Sequence, residues 1–416
     1  MLTSEIRAFL LNEARERFLR YVRIETTSDE NSGRHPSSAG QWNLARLLQQ
    51  ELEELSVDQV LLDDSCYVYA RLPASQGVTA PSITFCSHID TSPSESGQGV
   101  EPLIHEEYEG GPLYFPNAAD LTLSPDDSPE LKNYMGQNII TASGDTLLGA
   151  DDKAGVAEIM AALAALQHFH DLPHPELRIV FTPDEEIGEG SDRIDLKKLG
   201  QYGYTVDGGE MGELEDECFD AVQADLIFKG INVHPGQAKD RMINAAAVAA
   251  RFTASLPEYD SPEHTEKREG FFHLTKMEGE ENQAGLSFIL RDFDRTNNLR
   301  RIDLLKQLIQ TFELRYPGLK IELELKDQYR NMREILQNYP DVIHKAEEAI
   351  RMTGLPLIRQ AIRGGTDGAC LCFKGMPCPN IFTGGMLFHS KKEWIPEIAL
   401  QKAAETILQL CALWTV

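Results

Sequence analysis

Apolar and polar positions change period several times along the chain, and the changes divide it into elements. Residues 40–56 carry Leu44, Leu47, Leu48 and Leu52 at the spacing of one helical face. Residues 152–168, dense in Ala and Leu, predict a second strong helix. Short apolar runs near 57–62, 66–72 and 82–87 read as strands. LRIVFTP (177–183) is a continuous apolar run of the kind a strand buried on both faces shows. Strands alternating with helices predict a layered α/β domain. Residues 92–137 break the pattern. They are rich in Pro, Gly, Ser and acids and predict a long excursion over the surface.

The middle of the chain reads as a unit of its own. FDAVQADLIFKGINVH (219–234), GFFHLTKMEGE (270–280), AGLSFILRDFD (284–294) and LKIELELKDQY (319–329) predict strands. MINAAAVAARFTASL (242–256) and LRRIDLLKQLIQTFELRY (299–316) predict helices between them. The order is βαββαβ, that of a ferredoxin-like α+β unit. Its expected span is 215–330, inserted between two parts, 1–214 and 331–416, of one α/β domain. A final helix is expected near 397–414.

Composition narrows the function. Asp plus Glu total 66 against 39 Lys plus Arg, a formal charge of -27, which opposes binding to nucleic acid or to anionic membranes. The first residues form an amphipathic pattern broken by charges, without the apolar core of a signal peptide, and no apolar run reaches membrane-spanning length. Seven cysteines, an odd number without a CxxC pair, fit reduced thiols in the cytoplasm. Cys370 and Cys372 are expected to fill core.

Five segments place acids or histidines where an apolar run ends. SITFCSHIDT (82–91) carries His88 and Asp90 two apart on a strand, so both face the same way. LLGADDKAG (147–155) puts Asp151 and Asp152 at a helix start, a good ligand position that also suits a plain N-cap. VFTPDEEIGEG (180–190) sets Asp184, Glu185 and Glu186 side by side, a repulsion that a cation would relieve. YTVDGGEMG (204–212) carries Asp207, and IFTGGMLFHSKKEW (381–394) carries His389. Open α/β sheets bind ligands at the carboxyl ends of their strands, so the recurrence points to one site. HExxH, Walker A and GxSxG patterns are absent from the sequence, so zincin, nucleotide and serine-hydrolase chemistry have no sequence support.

These motifs, in this order, resemble the M20 metallopeptidases. TLLGADDKAG, INVHPGQAK, RGGTDGA and PCPNIFTGG followed by His389 are similar to its tripeptide-cleaving aminopeptidase branch. The resemblance spans nearly the whole chain. It implies a zinc-peptidase-like domain with a mixed sheet flanked by helices, and makes the inserted unit a lid. It implies two zinc ions, one held by His88, Asp151 and Asp207 and the other by Asp151, Glu186 and His389. Asp151 then bridges, with Asp152 its competitor. Glu185 is the implied general base, and Asp90 the carboxylate that orients His88. In the inserted unit, His234 and Arg291 are the implied substrate or transition-state contacts, Arg291 having Asp292 or Asp294 as an alternative ion-pair partner. Arg363, in RGGTDG, sits in a loop that can approach the metals and is a further candidate substrate contact. The implied substrate is a short peptide, preferably a tripeptide. Other M20 activities (dipeptidase, carboxypeptidase, N-acyl-amino-acid deacylase), a non-catalytic peptide-binding relative, and a homodimer remain open.

Overall fold

The computed structural model describes residues 2–415. The chain divides into two compact units. The first comprises 1–216, 334–360 and 366–416, and the second comprises 217–333 with 361–365. Residues 361–365, which carry Arg363, thus join the second unit, outside the 215–330 span expected for it.

The first unit is built on an eight-stranded mixed sheet. Its order is Asp58–Leu62, Val68–Leu72, Leu177–Thr182, Ile83–His88, Tyr202–Gly208, Asn380–Phe382, Glu213–Cys218 and Ile358–Ile362. The four central strands, Leu177–Thr182 through Asn380–Phe382, run parallel. Antiparallel strands flank them. All four parallel strands therefore end at one edge, and their carboxyl ends lead into Asp184–Glu186, His88–Asp90, Asp207 and the loop to His389.

The helix Ala150–His168 is buried without a break from Asp152 to Leu166. It packs on the central strands and against the helices Ser4–Tyr21 and Glu397–Leu413. Such all-round burial is what its Ala-rich sequence predicts. The approach is closest at Gly155, where an added Cβ would lie 2.0 Å from the carbonyl oxygen of Val206 and 2.6 Å from Ser87 Oγ. A backbone carbonyl cannot swing aside. Gly155→Ala is therefore expected to destabilise the fold by about 1–3 kcal/mol, read as a lower urea midpoint at unchanged slope.

The excursion at 92–137 is more ordered than its composition suggests. It contributes the strands Leu103–His105, Leu113–Phe115 and Ala118–Leu123 and a 3-10 turn at Pro129–Tyr134. Tyr108, Phe115, Leu123, Leu131 and Tyr134 gather with Ile139 and Trp394 into a separate small core. The apolar residues are too widely spaced to show a period, so the sequence hid them.

The second unit carries the βαββαβ order. Its four-stranded antiparallel sheet runs Phe271–Gly279, Gln283–Asp292, Asp220–Lys229, Lys320–Tyr329. The helices Ala245–Thr253 and Arg295–Arg315 supply Phe252 and Phe312 to a core shared with Phe228 and Phe288 of the sheet. Among the described residues the seven cysteines form no disulfide, and most of them are buried. No helix among the described residues is long and apolar enough to cross a membrane.

Candidate metal centre

Asp151 lies at the start of the buried helix, where the backbone of Asp151 (φ -82, ψ 104) and Asp152 (φ -121, ψ 28) departs from helical values. The two neighbouring carboxylates consequently diverge. Asp152 turns into the protein: its Oδ2 accepts hydrogen bonds from the His88 amide (3.1 Å) and from Ser87 Oγ. Asp151 turns outward and lies between the two histidines. Its Oδ1 is 2.9 Å from His88 Nε2, and its Oδ2 is 3.0 Å from His389 Nε2. Each histidine has a second acid beside it. His88 Nε2 is 3.5 Å from Asp207 Oδ1, and His389 Nε2 is 3.0 Å from Glu186 Oε1. The five expected ligands are thus brought together as two overlapping trios that share Asp151.

The acids at this centre carry a large electrostatic cost. Burial pushes the Glu185 carboxyl well above the ordinary value, with Asp207, Asp367 and Glu186 adding repulsion. Burial likewise raises Glu186 to about 7 and raises Asp207. Burial would also raise Asp151, but the imidazoles of His389 and His88 outweigh it and hold this carboxyl below the usual range. His389 is raised to about 11 by its bonds to Asp151 and Glu186. Five buried or half-buried acids and two rings, with only nitrogen and oxygen donors, suit a pair of divalent cations in place of the protons they otherwise share.

The surroundings fix the donors in place. His88 Nδ1 faces the backbone carbonyl of Asp90 at 3.1 Å, closer than the Asp90 carboxylate at 3.4 Å. That carboxylate instead accepts the amides of Glu185 (3.0 Å) and Glu186 (3.1 Å). Asp90 therefore braces both the histidine and the acidic turn, a double role the strand spacing alone does not reveal.

Sequence reasoning missed Glu393. This buried acid accepts the amides of Leu148 (2.8 Å) and Gly149 (2.7 Å) on Oε2 and that of Asp151 (3.1 Å) on Oε1. The signal was present, an acid four residues after His389, but its partners lie some 240 residues earlier. Gln in its place keeps one accepting oxygen and presents an N–H₂ to the amide of Asp151. Glu393→Gln is expected to weaken metal binding about 10–100-fold, measured by competition with a chromogenic chelator, with the fold retained.

The residues of the second unit are placed as follows. His234 Nδ1 accepts the amide of Gly236 at 3.1 Å, so a neutral ring carries its proton on Nε2. Arg291 donates to Leu290 O and Gln328 Oε1 and lies over the Tyr329 ring, without the suspected ion pair to Asp292 or Asp294. Arg363 donates to the carbonyls of Lys267 (2.7 Å) and Glu269 (2.9 Å) and stacks on Phe219 and Phe271.

Residues 147–412 match the model of the Peptidase family M20/M25/M40. A peptidase T from Geobacillus sp. (strain WCH70) is 44% identical, over 97% of this chain and 98% of its own. A peptidase T from Parabacteroides distasonis is 46% identical, over 96% and 98%. Among solved structures, aminopeptidase PepT from Bacillus cereus shares the fold with a TM-score of 0.76 at 20% identity, covering 98% of this chain and 99% of that one. A dinuclear metal binding peptidase of the M20 family from Bacillus subtilis gives 0.65 at 14% identity, covering 99% and 98%. With a family match over most of its length and relatives above 40% identity from end to end, this chain belongs to the peptidase family M20/M25/M40, and its full-length relatives carry the name peptidase T.

Proposed function

We propose that the chain is a two-zinc aminopeptidase that removes the N-terminal residue of short peptides, tripeptides above all. The observation that carries this reading is the position of Asp151, with one oxygen toward His88 and the other toward His389. His88, Asp151 and Asp207 would hold one ion, and His389, Asp151 and Glu186 the other. The names peptidase T and aminopeptidase PepT among the relatives support the substrate class. When bound, a cation pair supplies a nucleophilic water at neutral pH and polarises the scissile carbonyl. The three carboxylates Asp151, Glu186 and Asp207 would supply −3 toward the +4 of two such ions.

The remaining chemistry falls to the chain. Glu185 follows the buried strand Leu177–Thr182 and is adjacent to Glu186, so it accepts the proton of the attacking water and returns it to the leaving amine. Asp90 holds the backbone of both acids and so keeps base and ligand in register. His234, Arg291 and Arg363 are the proposed substrate contacts, with Arg291 or Arg363, or both, toward the peptide's carboxylate.

An acid–amide comparison tests the last assignment. A charge-assisted hydrogen bond contributes about 1.5–3 kcal/mol. Replacing the responsible Arg by Ala should therefore cost roughly 10–150-fold in kcat/KM on a free tripeptide and little on its C-terminal amide. Equal cleavage of acid and amide by the unaltered protein would remove the cation from the account. The reaction class itself is tested by hydrolysis of a free tripeptide set against a dipeptide and an N-acetylated tripeptide. A deacylase would prefer the blocked substrate.

A further inference from the structure

The acidic turn has a second histidine beside it, and the mechanism above does not use it. The His35 side chain is 1% exposed, and its ring stacks on Tyr67 at 5.9 Å. Its Nδ1 lies 3.3 Å from Asp184 Oδ2 and 3.6 Å from Glu189 Oε2. Neither ring nitrogen is aligned to make a hydrogen bond. A buried imidazole that touches two carboxylates without bonding either is costly, and such a group calls for a partner.

The spacing identifies one. One donor atom each from His35, Asp184 and Glu189 fall within 4.8 Å of one another. Around a tetrahedral ion with bonds of about 2.0–2.2 Å, neighbouring ligand atoms stand roughly 3.3–3.6 Å apart. That is the separation of Nδ1 from each carboxylate oxygen here. Asp184 has capacity to spare. Its Oδ1 accepts from Ser37 Oγ and Gln41 Nε2, whereas Oδ2 accepts only the Ser37 amide at 2.7 Å. One lone pair of Oδ2 therefore remains on the side of the ring. Glu189, 47% exposed, closes the trio from the solvent side.

We propose that His35, Asp184 and Glu189 hold a third divalent cation, of the class selected by one imidazole and two carboxylates (zinc, cobalt or manganese), with water completing its shell. This goes beyond the two-ion reading and uses none of its ligands. Asp184 and Glu189 bracket Glu185 and Glu186, and the Glu189 amide already donates to the Asp184 carbonyl at 2.9 Å. An ion here clamps both ends of the turn that carries the base. With one ligand half in water and a charge sum of zero, it binds more weakly and exchanges faster than the central pair.

The test counts ions. Chelator-stripped full-length protein is titrated with Co²⁺ alone and followed by native mass spectrometry and visible absorption. The proposal expects a third Co²⁺ that enters after the first two and is lost in both His35→Ala and Glu189→Ala. Glu189 is half exposed, so its replacement leaves the fold intact even if that of His35 does not. Asp151→Ala separates the two readings. It should keep one Co²⁺ that Glu189→Ala removes in the same background, whatever becomes of the central pair. Saturation of the unaltered protein at two ions with peptide hydrolysis intact overturns this proposal alone, leaving His35 as a packed ring. Retention of the last ion by Glu189→Ala also overturns it.

Discussion

Glu185→Gln is expected to lower kcat on a tripeptide by about 10²–10⁴-fold, the usual worth of a positioned general base, while both central ions stay bound. Gln keeps the shape and the contacts and cannot take a proton. Burial, Asp207, Asp367 and Glu186 all oppose ionisation of Glu185, while His88 favours it. In the proposed two-ion centre, positive charge would let this carboxyl work as a base near neutral pH. Because the base is not a ligand, KM and metal content should hold. The neighbouring Glu186→Gln should behave differently, releasing the ion it shares with His389. If Glu185→Gln loses metal while Glu186→Gln keeps it, the two roles are exchanged.

The second large effect belongs to Asp151. Its two oxygens face different histidines at 2.9 and 3.0 Å, so in the proposed centre its loss would strip a ligand from both positions at once. Asp151→Ala should abolish measurable hydrolysis and release both ions of the central pair. Asp152 provides the contrast. It accepts its bonds from Ser87 and the amide of His88, so Asp152→Asn should act on the placement of His88. Its activity loss should be smaller, and at least one central ion should remain. Elemental analysis of the two variants, prepared alike, decides between them. An Asp152→Asn protein emptied of metal beside an Asp151→Ala protein still holding two ions would reverse the assignment.

Much of this centre is legible in the sequence because each residue follows an apolar strand. The fold needs those strands parallel and buried, and a parallel sheet gathers their carboxyl ends at one edge. His88, Glu185–Glu186 and Asp207 are found by that rule. What the rule cannot supply is the direction of a side chain where the backbone is irregular. Asp151 and Asp152 are equivalent in sequence, and only the non-helical φ/ψ at the helix start sends one inward and the other out. Long-range bracing is equally hidden. Glu393 carries no pattern of its own in the sequence, and only the fold sets it against the amides of Leu148, Gly149 and Asp151. The same holds for 92–137, whose scattered aromatic residues form a core only when Trp394 reaches them from the other end of the chain.

In the proposed reaction, paired ions held through Asp151 support hydrolysis of a peptide with a free N-terminus. The decisive measurement strips the protein with a chelator and restores zinc in steps, with cleavage of a free and an N-acetylated tripeptide followed alongside. No hydrolysis is expected without metal, full activity on the free tripeptide once two equivalents are bound, and little on the acetylated one. Hydrolysis by the metal-free protein, or equal cleavage of the two substrates, would contradict the proposed reaction.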